Sequence, residues 1–345
     1  MAVRIYSTDT DSGVVSVTSV QDGGYARVAQ IPVGNAPRGA MKYTSDGRGF
    51  VCNCGGDTIS EIDLMSNREL GRIKVGPAPR GLAIIPGDRF AVVSNSGSNS
   101  ISIVDLRARQ EAAQIAIGRD PRHMAVTKDG TAVFIAIWGS HYVAHVDTSS
   151  LVGRNDPASV RESLRIPIGQ DRHPYSVALT PDEKELYVAN TRSELLSIID
   201  VVRGTVSGEI DLGSRGARAV AFSPKGERAY VSVENTSEIA VIDVVTRAVI
   251  SRIPVGPGPR GLALEPKTET LYVTAFERSN TGGGGGLSAL RSIPVNSLTV
   301  VNLPRIRAQV ASAAADAASY DFIPVAHGSC SVSVISDELL QAKFL

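Results

Sequence analysis

The sequence carries no excess of charge of either sign: 35 basic residues face 35 acidic ones across 345 positions. A net charge of zero argues against a chain whose main task is gripping nucleic acid or an anionic membrane surface. Cysteine is scarce, and the three present cannot all pair. A chain of this length needs no disulfide staples, so a reducing compartment is expected. No window approaches the roughly 18 apolar residues of a membrane span. The start, MAVRIYSTDTDSG, lacks the basic stretch and apolar core of an export signal. A cytoplasmic protein with no membrane partner is the expectation. No long window has a helical period, which removes a helical-repeat fold.

Several chemical signatures are also missing. There is no G-x-S-x-G, P-loop or H-E-x-x-H, and the glycine run 282–286 lacks a strand–turn–helix setting for a dinucleotide. Cys52 and Cys54 flank Asn53 without two further ligands at a recognisable spacing, so they read as free thiols. D-T-D-S-G (9–13) imitates only the start of a calcium loop. The histidines, at 123, 141, 145, 173 and 327, are dispersed along the chain. No metal and no cofactor are assigned.

What the chain does have is a repeat. V-G-N-A-P-R-G (33–39) recurs as V-G-P-A-P-R-G (75–81), I-G-R-D-P-R-H (117–123) and V-G-P-G-P-R-G (255–261). Diverged copies lie at 168–176, 212–219 and 325–331. The anchors Gly34, Gly76, Gly118, Gly169, Gly213, Gly256 and Ala326 are separated by 42, 42, 51, 44, 43 and 70 residues. Each copy then has an apolar run such as L-Y-V-A-N and, ten residues beyond it, an aspartate: Asp63, Asp105, Asp147, Asp200 and Asp243, with Asn302 in the sixth copy after an insertion. Turn sequences such as S-D-G, K-D-G and P-D-E separate the runs. Four short β-rich segments in about 42 residues describe a propeller blade.

The ends set the blade count. Residues 3–7, 14–18 and 26–33 supply three strands with no first strand before them, and 329–336 supply a first strand with no three after it. Joined, they complete a seventh blade and remove the open sheet edges. The expected fold is all-β, a single seven-bladed β-propeller over 1–345. Blade 7 comes from 1–33 and 325–345, with insertions near 148–163, 276–296 and 304–318.

The pattern V-G-x-x-P-R-G … T-P-D … L-Y-V-A-N … S-I-I-D resembles the YVTN-type, YncE-like seven-bladed propellers, and lactonase-type propellers are more distantly similar. The resemblance covers the whole chain and implies the fold; one propeller scaffold hosts many unrelated activities. It also implies that the first strand of each blade lines the central channel. The repeat position then reads Arg38, Arg80, Arg122, Tyr175, Arg218, Arg260 and Cys330 around one mouth.

Two readings of that ring stay open. The arginines tie blade carbonyls or neighbouring aspartates, or they grip a small anionic ligand, since guanidinium suits carboxylate and phosphate. Departures from the repeat mark where function would be written. Trp138 and His141 stand in blade 3, Glu234 follows the second strand of blade 5, and His173 and Tyr175 stand where blade 4 is expected to carry its arginine. Arg38, Arg80, Arg122, Arg218, Arg260, Trp138 and His141 are assigned to substrate binding, and His173, Tyr175 and Glu234 to proton transfer. A lengthened, glycine-rich 276–296 would form a lid, and the alanine-rich 308–318 a short helix. The favoured function is a small-molecule enzyme of lactonase, isomerase, lyase or cyclase type. The alternative is a noncatalytic ligand-binding or protein-interaction scaffold. DNA binding, suggested for some YncE-like proteins, fits poorly with zero net charge.

Overall fold

Alternating apolar runs broken by tight turns fold as antiparallel hairpins, and the hairpins join into seven four-stranded sheets. The structure is a computed structural model and describes residues 3–276, 297–305, 321–325 and 329–336. Blade 1 runs through strands Pro37–Tyr43, Arg48–Asn53, Thr58–Asp63 and Arg68–Lys74. Blades 2 to 6 begin with Pro79–Ile84, Pro121–Val126, Pro174–Leu179, Ala217–Phe222 and Pro259–Glu265. Blade 7 closes the ring from both ends of the chain. Its first strand, Ser329–Ser336, pairs antiparallel with Val3–Asp9, and Val14–Gln21 and Gly24–Pro32 complete it.

The aspartate and asparagine landmarks have local jobs. Asp63 Oδ1 accepts hydrogen bonds from the Met65 and Ser66 amides at 2.7 and 3.1 Å, which caps the turn into the fourth strand. Asn302 does the same for the Arg305 amide at 3.0 Å. The Asn190 amide that ends L-Y-V-A-N donates to Ser197 Oγ at 2.9 Å and so ties the second strand to the third. The second and third strands are buried on both faces; Phe134, Tyr187 and Ile198 are almost wholly enclosed. Each such side chain contributes about 1.5–3 kcal/mol on burial. Fourth strands are largely exposed, with one buried residue each near the end, as rim strands should be.

The insertion at 148–163 lies between the third and fourth strands of blade 3 and holds a short α-helix, Ser149–Gly153, and a 3-10 turn, Pro157–Ser159. The expected lid at 276–296 and helix at 308–318 lie outside the described residues, apart from Phe276. Among the described residues, no helix is long and apolar enough to cross a membrane.

Ring closure carries a test. A chain ending at residue 328 loses the strand hydrogen-bonded to Val3–Asp9 and exposes blade 6 to water on its inner flank. It is expected to lose its single cooperative thermal transition; a truncated chain that melts cooperatively within a few degrees of the full chain would contradict closure from both ends.

Candidate functional site

The repeated Pro-Arg-Gly occupies an irregularity in the first strand of each blade. Proline, which has no N–H to give the ladder, opens this stretch in five blades, and Ala217 and Ser329 open the same break in the other two. Strand register shifts between Pro79 and Gly81, Pro121 and Met124, Pro174 and Ser176, Ala217 and Val220, and Pro259 and Leu262. In each case the ring residue (Arg80, Arg122, Tyr175, Arg218 or Arg260) has no partner opposite. Cys330 is skipped in the same way between Ser329 and Ser331, and in blade 1 the shift falls just after Arg38. A bulge re-aims the side chain it carries. The glycine that follows has its own reason: Gly39 has φ +74°, and a Cβ there would sit 2.4 Å from the Arg80 carbonyl oxygen of the next blade.

A second ring stands sixteen residues further along each blade and meets the first. Arg80 Nε donates to Ser96 Oγ at 2.9 Å. The Arg122 guanidinium lies 5.0 Å from the Trp138 ring, and that of Arg260 lies 3.8 Å from the Phe276 ring. Arg218 meets Glu234: its Nε donates to Oε2 at 2.6 Å. Arg260 takes the other oxygen of the same carboxylate, with Nε donating to Oε1 at 2.8 Å. Glu234 is thus clamped between two guanidinium groups. Burial raises its carboxyl pKa, but Arg218 and Arg260 outweigh burial and hold it below the ordinary value. It stays ionised at neutral pH, so it acts as an acceptor that fixes two arginines and has no proton to give.

The other half of the mouth is charged differently. Arg122 pairs with Asp120 at 2.6 Å, while no carboxylate among the described residues forms an ion pair with Arg38 or Arg80. Burial, with the nearby Arg122 and Arg38, pulls the Arg80 pKa below its ordinary value. Lys42 stands in the channel open to its water but ringed by protein, and this desolvation lowers its ammonium pKa. His123 reports the same field most clearly. Burial, then Arg122, Arg80, Lys42 and Arg38, push its pKa down to about 3. Its imidazole is neutral throughout the physiological range.

Beneath the mouth is a cavity of about 140 Å³. All seven first strands contribute to its wall, including Lys42, His123, Tyr175, Arg218, Arg260 and Cys330. An apolar cavity of about 150 Å³ takes one benzene ring, which sets the scale of a ligand. Tyr175 packs on His123 with ring centroids 5.1 Å apart, and the Arg218 guanidinium lies 4.6 Å from its ring.

Tyr175 therefore takes the arginine position of blade 4, but His173 does not share it. The amide of Thr191 donates to the His173 carbonyl, as Ser96 donates to Ala78 and Trp138 to Asp120, so His173 occupies the slot two residues earlier. That slot has left-handed backbone: φ is +52° at Ala78, +53° at Asp120 and +51° at His173. His173 is not in the cavity wall. It packs on Trp138 and His141, with centroids 4.3 and 4.4 Å away. Trp138 Nε1 donates to Thr191 Oγ1 at 3.1 Å.

Two residues escaped the sequence reading. His123 stands where the repeat has the glycine of Pro-Arg-Gly, and the visible change to Pro-Arg-His was its signal. Lys42 follows the repeat by four residues on a strand that alternates, and nothing in the sequence alone marks it as a channel residue.

A family model described as "Lactonase, 7-bladed beta-propeller" matches residues 116–252, from the end of blade 2 through blade 5. No curated protein matches the chain in sequence. Solved structures share its fold at low identity. A Kuenenia stuttgartiensis hydrazine synthase chain is 20% identical with a TM-score of 0.67, over 88% of this chain and 97% of that one. A candidate 6-phosphogluconolactonase from Bacteroides fragilis is 13% identical with a TM-score of 0.78, over 97% of this chain and 98% of that one. Another, from Bacteroides uniformis, is 16% identical with a TM-score of 0.75, over 97% and 99%. At these identities the likeness shows the fold alone, a seven-bladed β-propeller.

The clamp is testable by charge removal. Glu234→Gln leaves the Arg218 and Arg260 guanidinium groups, 20% and 14% exposed, without a carboxylate. It is expected to cost about 2 kcal/mol at neutral pH. The folded pKa of Glu234 lies below the ordinary 4.5, so the pairing stabilises above that pH and is lost as pH falls through the folded value. Melting curves of wild type and variant should therefore converge on acidification. Equal melting at pH 7 would contradict the clamp.

Proposed function

We propose that the mouth binds a small anionic, carbonyl-bearing molecule and that the protein acts on it as a lactonase-type enzyme. The observation that carries this is the half-ring of Arg38, Arg80 and Arg122 around His123, with Asp120 its one ion-paired carboxylate among the described residues. Half-buried guanidinium groups in that state favour an anion, because a carboxylate or phosphate relieves their mutual repulsion and accepts bidentate hydrogen bonds. The match to a lactonase propeller model over 116–252 supports the substrate class.

In this account Arg38, Arg80 and Arg122 hold the anionic group of the substrate. Arg218 and Arg260, fixed by Glu234, face the cavity and stabilise negative charge developing on a carbonyl oxygen. Tyr175 and His123 line the cavity within reach of the bound molecule, and Trp138 lies under the Arg122 guanidinium. His173 packs on Trp138 and His141, and neither histidine is in the cavity lining.

A second reading is favoured by one specific observation. His123 with a pKa of about 3 is a weak base, and Glu234 is committed to its clamp. A mouth lined with cations, with His123 a weak base and Glu234 held in ion pairs, also suits a noncatalytic anion-binding scaffold.

Calorimetry with phosphate and small carboxylates, followed by proton-release assays on anionic lactones, separates the readings. Arg80→Gln is expected to weaken anion binding at least tenfold, about 1.4 kcal/mol, without changing the melting temperature of the free protein. Binding with lactone hydrolysis supports the enzyme, and binding without it supports the scaffold. An unchanged affinity in the variant would contradict both.

A further inference from the structure

Neighbouring blades are clasped by a hydrogen bond from the hairpin four residues past the second strand. Asp57 Oδ1 accepts from the Ala78 amide at 2.9 Å, and Asn99 Oδ1 accepts from the Asp120 amide at 3.0 Å. At the junction of blades 3 and 4 both partners are changed. His141 takes the hairpin slot and His173 the receiving slot, with φ of +56° and +51°, so the backbone pattern is kept while the chemistry is not.

The two imidazoles meet edge to face with centroids 4.4 Å apart. The Nδ1 atoms of both are buried and have no hydrogen-bond partner. An orphaned buried nitrogen is costly and calls for an explanation. Blade 4 also differs from the repeat by two inserted residues, Gly169 to Pro174 against Gly34 to Pro37, and the insertion supplies Asp171. One donor atom from each of His141, Asp171 and His173 lies within 4.8 Å of the others. The inserted Arg172 is engaged elsewhere, by Glu209 at 2.8 Å and Ser193 Oγ at 2.7 Å.

We propose that His141, Asp171 and His173 form a binding site for one divalent transition-metal ion of the zinc, cobalt or nickel type. Two imidazole nitrogens and a carboxylate oxygen suit these ions better than calcium or magnesium. With bonds of about 2.0–2.2 Å, the donors of a tetrahedral centre stand about 3.3 Å apart. Rotation of the exposed Asp171 carboxylate and small shifts of the two rings close that gap. Three protein ligands are the number found in centres that keep a position for water or substrate.

Trp138 is the single tryptophan of the chain, and its ring centroid lies 4.3 Å from that of His173. Its fluorescence therefore reports this site. Full-length protein, stripped with EDTA, is titrated with cobalt or nickel chloride. The expected result is saturable quenching at one ion per chain, reversed by EDTA and competed by zinc. His141→Asn and Asp171→Asn suit the left-handed backbone, which asparagine tolerates. Each should lower the affinity at least tenfold; Asp171 is exposed, so its variant should melt as the wild type does. Absence of saturable quenching, or quenching in Asp171→Asn equal to wild type, would overturn the proposal.

Discussion

Seven first strands converge on one axis, and a ladder kept regular to its end would leave no room for long side chains to turn across it. The break at Pro-Arg-Gly resolves this. At the bulge the ring residue loses its partner opposite, and the glycine, where present, lets the next blade's carbonyl approach. The exposed carbonyls are then claimed by hydroxyl groups of the preceding blade. Ser94 Oγ donates to the Arg122 carbonyl and Ser176 Oγ to that of Arg218, each at 2.6 Å, and Ser232 Oγ to that of Arg260 at 3.1 Å. Backbone satisfaction between blades and arginine placement at the mouth thus come from one local device.

That device makes the ring symmetric, and the second ring breaks the symmetry. A single carboxylate, Glu234, serves Arg218 and Arg260, so each of those guanidinium groups is ion-paired and that side keeps one net positive charge. On the other side serine and tryptophan stand where Glu234 would be, and Asp120 is the carboxylate that forms an ion pair. The cations there are partly buried among neutral groups, and His123 takes the consequence in its lowered pKa. A protein of zero net charge thereby concentrates positive potential at one end of a narrow channel, where low-dielectric walls focus it.

The architecture was legible because its determinants are local and repeated: period, turn residues and the terminal aspartates each encode a contact within one blade. Asp63 caps its turn, and the two incomplete ends pair as their strand counts require. The arginine ring was legible for the same reason. Partnership between rings was not, because Arg260 reaches Glu234 across blades and no spacing rule links positions 26 residues apart. His173 was misplaced onto the arginine position because a two-residue insertion hides the alignment, and only the Thr191 amide contact fixes its slot. His123 was visible as a departure from Pro-Arg-Gly, but its meaning depends on a field summed over four cations from two different strand positions.

His123 is accordingly the most direct probe of that field. The measurement is an NMR titration of its imidazole, assigned with a His123→Gln variant, in the free protein and with saturating phosphate or a small carboxylate. The account predicts a ring that stays neutral in free protein down to about pH 3, with a pKa that rises when an anion offsets Arg38, Arg80 and Arg122. An ordinary pKa near 6.5 in the free protein, or a low pKa that no anion moves, would contradict it.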